Sequence, residues 1–523
     1  MASFYIENFG CRATQADGAA LESQFLERGL ERARVARDAE IVVLNTCTVT
    51  EGADRDARAS IRRVRRENPD CRILVTGCYA QRAPEELAAL PGVSWVVGNS
   101  HKHLAAEIAT SRSSSNRPSS QGFVSLAQLS ASVPANDLRT NADVIVGDIF
   151  AHTELLAAPV FEAANERTRP NLKVQDGCDN RCSFCVIPYV RGQSRSLPME
   201  RVLGEVRALV SAGYREVVVS GINLGRWGRD LAAGSAGGTL LPVALDFESV
   251  PSFEAKAGAN AKTNATATAT ATATDKSVRP TLPDLVRAIL KRTSLEKLRI
   301  SSVEPMDWSD ELIEMMATSP RIAKHAHVPL QSASDAVLRR MHRKYRPWHY
   351  REKITKIRKA MPSAAIGADV MVGFPGETEA EFAETRRMIE ELPFTYLHVF
   401  TYSSRPGTPA AEHANQVRAA VARDRSQTLR EIAATKRASF MHAQVGTIVE
   451  AITLRTGDED FTEALTDNYL KMQIPGRWQA NRWLAVQVEK IEDGGQCLVG
   501  APPDNAKALE IHSVRPKWIL NRS

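Results

Sequence analysis

The first hundred residues alternate short apolar runs with amphipathic stretches. Apolar runs of this length are typical of buried strands, and polar and apolar positions at helical spacing predict helices between them. The runs are Phe4–Ile6, Ile41–Leu44 and Ile73–Val75, and the helical stretches are Ala16–Glu27 and Ala53–Arg66. Their order predicts an N-terminal, parallel, doubly wound βαβ domain over residues 1–110. Residues 111–167 follow as a linker region, which begins with a serine-rich break.

A second alternating block covers residues 168–440 and contains six strand–helix units. Six such units predict a parallel sheet curled into an open (β/α)6 partial barrel, with its chemistry at the carboxyl ends of the strands. The predicted strands are Leu172–Gln175, Glu216–Ser220, Lys297–Ser302, His325–Leu330, Ile366–Val372 and Thr395–Tyr402. The predicted helices are Glu200–Ser211, Leu282–Lys291, Asp310–Ala317, Trp348–Ala360 and Glu379–Glu391. Residues 231–280 interrupt this block, and their low-complexity Ala/Thr-rich sequence predicts a solvated insertion because few large apolar groups are present.

Residues 442–523 have a third pattern. Short apolar strands are separated by turn signals, including Pro475-Gly476 and Asp493-Gly494. The strands are Thr447–Thr453, Tyr469–Ile474 and Trp483–Val488. This pattern predicts a small all-β barrel or sandwich. The fold class is therefore α/β, with a small all-β domain at the C-terminus.

Composition narrows the class of protein. In the 523 residues, 43% are hydrophobic and 24% are charged, which excludes wholesale disorder. No apolar run approaches the roughly 20 residues of a membrane helix, and the N-terminus lacks a signal-peptide pattern, so we expect a cytoplasmic protein without a membrane partner. The net charge of +6 permits a nucleic-acid partner without requiring one. Eight cysteines are too few for a disulfide scaffold, and favour metal binding, catalysis or core packing.

Three cysteines share one short loop. Cys178, Cys182 and Cys185 have the spacing C-x3-C-x2-C directly after the first predicted strand of the second block. Three thiolates can hold three corners of a cubane iron–sulfur cluster and leave the fourth iron open. Zinc is the main alternative, but a structural zinc site needs four ligands, and no second pair of cysteines lies nearby. The spacing therefore favours an iron–sulfur cluster.

Three further cysteines each follow a predicted strand of the N-terminal domain. Cys11, Cys47 and Cys78 lie just beyond the carboxyl ends of those strands, which share one edge of a parallel sheet. We therefore expect the three thiols to converge on a second metal site. The alternative is that they are small buried hydrophobes. Cys71 precedes its strand and Cys497 stands alone, so neither is expected to be a ligand.

These residues resemble the radical S-adenosylmethionine (SAM) methylthiotransferases, which have a three-cysteine N-terminal domain and a C-terminal TRAM domain. Within them, the sequence is most similar to the MtaB-like tRNA threonylcarbamoyladenosine group. The motifs that carry the resemblance are Leu44–Thr50, Thr76–Gln81, Gly177–Gly192, Leu298–Pro305, His327–Ser332 and Asp369–Glu377. Thr14 departs from the family pattern, which usually has asparagine there.

The resemblance implies two 4Fe–4S clusters, with SAM as cosubstrate. Cys178, Cys182 and Cys185 would hold the catalytic cluster that binds SAM and cleaves it to a 5′-deoxyadenosyl radical. Cys11, Cys47 and Cys78 would hold the auxiliary cluster that carries the sulfur. The expected SAM contacts lie at the carboxyl ends of barrel strands, although each could also be a solvated loop residue or a helix cap. They are Ser220, Gly221, Ser302, Glu304, Gln331 and Asp369.

The expected substrate is a modified adenosine beside a tRNA anticodon, and an electron donor and a sulfur source are implied partners. For RNA contact we expect the basic run that contains Arg339, Arg340, Arg343, Lys344 and Arg346, although such a run can also be a solvated helical face. Tyr469, Trp478 and Trp483 are possible stacking groups or strand-packing groups. The alternatives are the same chemistry on isopentenyladenosine or a ribosomal aspartate, and a non-catalytic iron–sulfur or RNA-binding protein.

Overall fold

A computed structural model of the chain describes residues 2–111, 142–152, 155, 168–231, 279–492 and 494–503. Its N-terminal part is a six-stranded, all-parallel sheet in the order β2-β1-β3-β4-β5-β6. The strands are β1 (Ser3–Asn8), β2 (Glu31–Arg32), β3 (Ile41–Thr46), β4 (Arg72–Gly77), β5 (Val93–Gly98) and β6 (Asp143–Ile145). The helices are α1 (Arg12–Glu27), α2 (Glu51–Glu67), α3 (Cys78–Arg82), α4 (Pro84–Ala88) and α5 (Ala105–Thr110).

Helices cover both faces of this sheet, as the doubly wound prediction requires. Leu21 and Phe25 of α1 pack with Val43 on one face, whereas Ile61 of α2 packs with Val42 on the other. All six positions of β3 are buried, which explains its continuous apolar sequence. The predicted α/β architecture is confirmed. One detail differs from the sequence-based prediction: β6 falls inside the expected linker and pairs with β5, so part of that segment completes the sheet.

The central part contains six parallel strands arranged as an open barrel. One sheet has the order β10-β9-β7-β8, with β8 antiparallel, and the other has the order β11-β12-β13. Backbone hydrogen bonds between Leu298 and the segment at Arg321 and Ala323 connect them. The strands are β7 (Asn171–Asp176), β8 (Arg195–Ser196), β9 (Glu216–Gly221), β10 (Lys297–Ile300), β11 (His325–His327), β12 (Ala365–Val372) and β13 (Tyr396–Thr401). The predicted partial barrel is confirmed.

Helices surround this central barrel, and one apolar core fills the space between helices and strands. The helices are α6 (Ile187–Arg191), α7 (Met199–Ser211), α8 (Leu282–Arg292), α9 (Asp310–Thr318), α10 (Asp335–Arg340), α11 (Pro347–Ala360), α12 (Glu379–Glu391) and α13 (Ala419–His442). The low-complexity insertion predicted at 231–280 lies outside the described residues except at its two ends. Within the described part of the chain, no helix combines the length and the apolar character needed to cross a bilayer.

The C-terminal part is a closed five-stranded barrel in the order β14-β15-β16-β18-β17, which confirms the all-β prediction. The strands are β14 (Ile448–Gly457), β15 (Phe461–Thr466), β16 (Lys471–Pro475), β17 (Trp483–Ile491) and β18 (Leu498–Ala501). The buried Arg299 of β10 attaches this barrel to the central one. Its guanidinium donates to Glu216 at 2.6 Å and to the Asp467 carbonyl at 2.9 Å.

One glycine of the central barrel determines where an aromatic ring lies. Gly367 of β12 pairs with Tyr396 of β13, and a Cβ at this position would overlap the Tyr396 ring. The ring has little freedom to move aside because His325 hydrogen-bonds its hydroxyl at 2.7 Å. Because Gly367 has no side chain, the Tyr396 ring can occupy the space beside the strand ends.

We expect Gly367→Ala to destabilise the protein by about 1–3 kcal/mol, because the added methyl group forces the Tyr396 ring out of its packed position. The free energy of unfolding in urea measures this cost. Gly204→Ala is the matched control, since Gly204 is exposed in α7 with nothing within 4 Å of an added Cβ. That change should stabilise the protein by about 0.5–1 kcal/mol. Equal effects of the two substitutions would contradict the assignment.

Candidate functional site

The loop that carries Cys178, Cys182 and Cys185, hereafter the loop cysteines, follows β7 at its carboxyl end. Cys178 Sγ accepts hydrogen bonds from the Asn180 amide at 3.4 Å and from Asn223 Nδ2 at 3.6 Å. Cys182 Sγ accepts from the Arg343 guanidinium at 3.4 Å. Donors aimed at sulfur stabilise thiolates, so this loop has the electrostatic surroundings that bound iron requires.

The thiols of Cys178 and Cys185 both have raised pKa values. Burial raises the pKa of Cys185 to about 12, and the neighbouring charge of Cys182 contributes to the same shift. Burial also raises the pKa of Cys178. Thiols held close together away from water are costly to ionise alone, and a metal ion removes that cost by replacing the protons. The chemistry of the loop cysteines therefore fits a metal centre.

Cys11, Cys47 and Cys78, hereafter the edge cysteines, lie beyond the carboxyl ends of the adjacent strands β1, β3 and β4. Burial raises the pKa of Cys47 to about 12, with further contributions from the charges of Cys78 and Cys11. The three thiols thus lie within electrostatic reach of one another. Gly10 approaches Cys47 so closely that an added Cβ would lie 2.9 Å from its sulfur.

The other two cysteines lie elsewhere. Cys71 is buried in the apolar core beneath α2, next to Val64 and Ile73, at the start of β4. Cys497 precedes β18 of the C-terminal barrel, and its thiol donates to the Leu498 carbonyl at 3.4 Å.

A cavity of about 670 Å³ is lined by Cys11 of the edge cysteines and by Asn223, whose side chain donates to Cys178 of the loop cysteines. The residues that sequence analysis assigned to SAM all line its wall, at the carboxyl ends of central strands; they are Ser220, Gly221, Ser302, Glu304, Gln331 and Asp369. Cys11 and Arg12 line it from the N-terminal sheet, and Tyr469 lines it from the C-terminal barrel. All three parts of the protein therefore contribute to one cavity, whose volume suits a cofactor-sized ligand.

Four residues that line this cavity have a buried polar atom without a hydrogen-bond partner among the described residues: Ser220, Asn223, His325 and His327. Ser220 Oγ and Asn223 Oδ1 are buried and make no hydrogen bond to any described residue. Buried polar atoms are usually hydrogen-bonded, and unpartnered ones mark places where a ligand supplies the bond. Asn223 Nδ2 also donates to Cys178 Sγ at 3.6 Å. This arrangement fits a polar ligand placed against the loop cysteines.

A second polar group lies on the other side of the cavity. His327, Asp369 and His398 bring their ligand atoms within 4.8 Å of one another. Ser302 Oγ and His327 Nδ1 share a hydrogen bond of 2.6 Å. Burial lowers the pKa of His398, although the charge of Asp369 opposes this shift. This wall offers both hydrogen-bond donors and acceptors to a bound molecule.

A buried network of charges, hereafter the junction network, joins the N-terminal sheet to the central barrel. Its members are Asp17, Lys102, Lys173, Asp176 and Arg191, all less than 10% exposed. Lys102 contacts Asp17 at 3.0 Å, and Lys173 contacts both Asp17 and Asp176. Arg191 donates to Asp17 at 3.1 Å and to Asp176 at 3.0 Å. Two carboxylates therefore meet three cations away from water.

The charges of this network stabilise one another. Burial alone would raise the pKa of Asp17, but Lys102, Lys173 and Arg191 lower it to about 2. Burial likewise opposes ionisation of Asp176, yet Arg191 and Lys173 hold its pKa well below the usual range. Removal of a single partner would leave a buried charge unpaired, which costs far more than an exposed pair contributes.

Arg191 also connects the two sets of cysteines. Its guanidinium donates to Thr14 Oγ1 at 3.4 Å, and that hydroxyl lies 3.6 Å from Cys11 Sγ. On the other side, Asp176 accepts from Arg191 and from the Gly177 amide at 2.8 Å, one residue before the loop cysteines begin. Thr14, the departure from the family pattern, thus supplies a polar contact at Cys11.

The structure corrects the expected RNA contact at Arg343. Its guanidinium is buried, donates to Cys182, and pairs with Glu304 at the cavity wall, so it cannot reach a phosphate on the surface. Arg340 is committed to Glu381, and its carbonyl accepts from Ser183 Oγ at 2.7 Å. The segment turns inward because it packs against the loop cysteines.

The other members of the basic run differ in their surroundings. Arg339 and Arg346 both pair with Asp335, whereas Lys344 is exposed. Among the expected stacking groups, Trp483 is 7% exposed and lies under Lys297, which makes it a packing residue. Of these expected stacking groups, Tyr469 lines the cavity.

Sequence analysis missed Asn223 and Arg12. Asn223 follows β9 by two residues, so the strand-end rule that selected Ser220 could have found it. No sequence signal indicated Arg12. The family resemblance rests on the neighbouring Cys11, and an arginine at the start of a helix is common.

Comparisons with known proteins identify two matching family models and several similar proteins. Residues 3–98 match the uncharacterized protein family UPF0004, and residues 172–224 and 245–389 match the radical SAM superfamily. The chain is 34% identical over 480 residues to threonylcarbamoyladenosine tRNA methylthiotransferase MtaB of Bacillus subtilis, covering 91% of each chain. It is 29% identical to tRNA-2-methylthio-N(6)-dimethylallyladenosine synthase of Erythrobacter litoralis, covering 95% of this chain and 96% of that one. The radical SAM methyltransferase TsrM of Kitasatospora setae aligns in structure with a TM-score of 0.48 at 14% identity, covering 78% and 75% of the two chains.

We expect Arg191→Met to lower the free energy of unfolding of the iron-free protein by about 3 kcal/mol, because Asp17 and Asp176 lose a buried partner. Urea unfolding measures the loss. Arg181→Met is the matched control, since Arg181 is exposed on the same segment. Its effect should stay within about 0.5 kcal/mol. Similar urea midpoints for both variants would show that the junction network contributes no net stability.

Proposed function

The chain belongs to the radical SAM methylthiotransferase family, and from this premise we propose that it adds a methylthio group to N6-threonylcarbamoyladenosine beside a tRNA anticodon. Enzymes of this family use SAM and two 4Fe–4S clusters. The observation that carries the proposal is that Cys11 of the edge cysteines and Asn223, which donates to Cys178 of the loop cysteines, line the same cavity of about 670 Å³. Sulfur transfer by radical chemistry requires SAM, the sulfur carrier and the substrate carbon to meet in one enclosed space.

We assign the catalytic cluster to the loop cysteines and the auxiliary cluster to the edge cysteines. When bound, the catalytic cluster supplies the electron for reductive cleavage of SAM. Asn223 and Arg343 stabilise the thiolates of Cys178 and Cys182 through the hydrogen bonds described above. Ser220 and the free oxygen of Asn223 supply hydrogen-bonding capacity for the polar end of SAM.

The residues on the far wall orient ligands and exclude water. Glu304 is fixed by its ion pair with Arg343, so its carboxylate keeps one position at the wall. Ser302 holds the His327 ring through the bond of 2.6 Å. Tyr396, Tyr469 and His325 form an aromatic group whose ring centroids lie 4.7–6.3 Å apart. Such a group offers a stacking surface for a purine base.

The threonylcarbamoyl branch is favoured by similarity along the chain. Identity is 34% to the threonylcarbamoyladenosine enzyme and 29% to the dimethylallyladenosine enzyme described above. Both relatives act on tRNA by their names, and the proposed substrate places the protein where tRNA is found, in the cytoplasm. The reaction consumes an electron and a sulfur atom, so the proposal includes an electron donor and a sulfur source as partners.

A non-catalytic protein that only binds iron or RNA has less need of a cavity with unpartnered polar groups. Unpartnered buried groups beside the loop cysteines cost stability unless a ligand satisfies them. Their position favours an enzyme that binds a cosubstrate over a non-catalytic module.

We expect anaerobically reconstituted protein to hold about eight irons per chain, from two clusters of four. Cys47→Ala should hold about four, because one edge ligand is missing, and Cys71→Ala should keep about eight. Iron assay and electron paramagnetic resonance of the reduced proteins measure both outcomes. Full iron in the Cys47 variant, or loss of a cluster in the Cys71 variant, would overturn the assignment of the edge cysteines.

The substrate is tested by mass spectrometry of tRNA nucleosides from cells with and without the protein. We expect 2-methylthio-N6-threonylcarbamoyladenosine to disappear from cells without it and to return when the gene is restored. A loss confined to 2-methylthio-dimethylallyladenosine would assign the protein to the other branch. An unchanged pattern of both nucleosides would refute tRNA methylthiolation by this chain.

A further inference from the structure

One cation lines the cavity without an acidic partner. Arg12 is the first residue of α1, directly after Cys11, and it is half-buried at the cavity wall. Among the described residues, no carboxylate lies within ion-pair distance of its guanidinium. This distinguishes Arg12 from Arg343, which pairs with the lining residue Glu304.

Neighbouring residues hold the guanidinium of Arg12 in place, although no carboxylate among the described residues neutralises its charge. It donates to the Tyr469 hydroxyl at 3.2 Å, and its carbon lies 6.0 Å from the centre of that ring. The Arg12 carbonyl accepts from Asn171 Nδ2 at 2.7 Å. The C-terminal barrel thus fixes the side chain and the central barrel fixes the backbone. A guanidinium held in this way is preorganised for an anionic ligand, because it loses little conformational entropy on binding.

The acidic residues that line the cavity, Glu304 and Asp369, are paired with residues other than Arg12. Glu304 is bound to Arg343, and Asp369 lies 3.4 Å from His327. A ligand that brings its own carboxylate would therefore meet a free guanidinium. The planar fork of arginine binds carboxylate through two parallel hydrogen bonds, which gives both affinity and selectivity.

The two nucleoside substrates of the family differ in this chemistry. The threonylcarbamoyl group ends in a carboxylate, whereas the dimethylallyl group is an uncharged hydrocarbon. Arg12 is adjacent to Cys11, one of the proposed ligands of the sulfur-carrying cluster, so a nucleoside bound there lies at the sulfur-donating side of the cavity. The carboxylate of SAM is expected at the opposite side, beside the loop cysteines.

We propose that Arg12 binds the carboxylate of the threonylcarbamoyl group and is a specificity-determining residue for the tRNA substrate. This inference rests on the proposed function and adds the contact that separates the two substrate branches. Tyr469 is then a positioning residue, which acts through the Arg12 guanidinium.

The test compares three anticodon stem-loop RNAs that differ at one nucleoside: threonylcarbamoyladenosine, its carboxyl methyl ester, and adenosine. Fluorescence anisotropy measures the dissociation constant of each RNA with the holoprotein under anaerobic conditions. The ratio of the ester constant to the acid constant reports carboxylate recognition alone. We expect a ratio of about ten to a hundred for the unsubstituted protein, as for a hydrogen-bonded charge pair.

In Arg12→Gln the ratio should fall to about one, and Arg12→Lys should restore part of it because the charge returns without the planar fork. Arg34→Gln is the control for general loss of positive charge, since Arg34 is exposed in the bend after β2 and does not line the cavity. Its ratio should remain that of the unsubstituted protein. An undiminished ratio in Arg12→Gln would overturn the proposal.

Binding of SAM is the second measurement in this test. Isothermal titration with SAM should give the same affinity for Arg12→Gln as for the unsubstituted protein. Weaker SAM binding with an intact RNA ratio would assign Arg12 to the SAM carboxylate and overturn the proposal. If Arg12→Gln fails to hold iron, Tyr469→Phe tests the same contact from the barrel side. Its ratio should fall severalfold, and an unchanged ratio would overturn the proposal.

Failure of this inference and failure of the proposed function give different results. The unsubstituted holoprotein is also incubated with SAM, a reductant and the threonylcarbamoyl RNA, and the nucleosides are analysed by mass spectrometry. Absence of methylthio product refutes the proposed substrate. Formation of product together with equal affinity for acid and ester refutes the role of Arg12 and leaves the substrate assignment intact.

Discussion

The buried junction network is the constraint on which the site depends. The N-terminal sheet contributes Asp17 and Lys102, and the central barrel contributes Lys173, Asp176 and Arg191. The central part alone has two cations, Lys173 and Arg191, for one carboxylate, Asp176, and Asp17 of the N-terminal part supplies the second carboxylate. An uncompensated buried charge costs several kcal/mol. The pairing is satisfied in one relative placement of the two parts. Because Arg191 lies between the edge cysteines and the loop cysteines, that placement also fixes how the two sets face each other.

Enclosure of the cavity follows from this placement. Carboxyl ends of central strands form most of the wall, and the start of α1 and the β15–β16 connection close two of its sides. A wall built by three parts of the chain excludes water from radical chemistry better than strand ends alone. Gly367 belongs to the same arrangement, since its missing side chain lets the Tyr396 ring face the cavity.

Much of the fold and of the cavity lining could be predicted, because the sequence patterns that indicate them are local. Apolar periodicity located the central strands, and the strand-end rule selected residues such as Glu304 that share one wall. What failed depended on tertiary packing. A linear run of basic residues does not reveal that Arg343 turns inward, because its partners Glu304 and Cys182 are distant in sequence. The edge strand β6 was missed because it is three residues long within a low-complexity region. Arg12 is distinguished by having no carboxylate within ion-pair distance in the part of the chain that the structure describes, and a local stretch of sequence does not encode this.

The contact between Arg12 and Tyr469 joins residues 457 positions apart, and this separation orders events during synthesis. A ribosome releases all six proposed cluster ligands long before it reaches the C-terminal barrel. Domains generally fold as they emerge, N-terminal parts first. The nascent chain therefore has every cysteine needed to receive iron while the cavity is still open on one side. Clusters can be inserted through that opening, and the last strands then close the chamber over them.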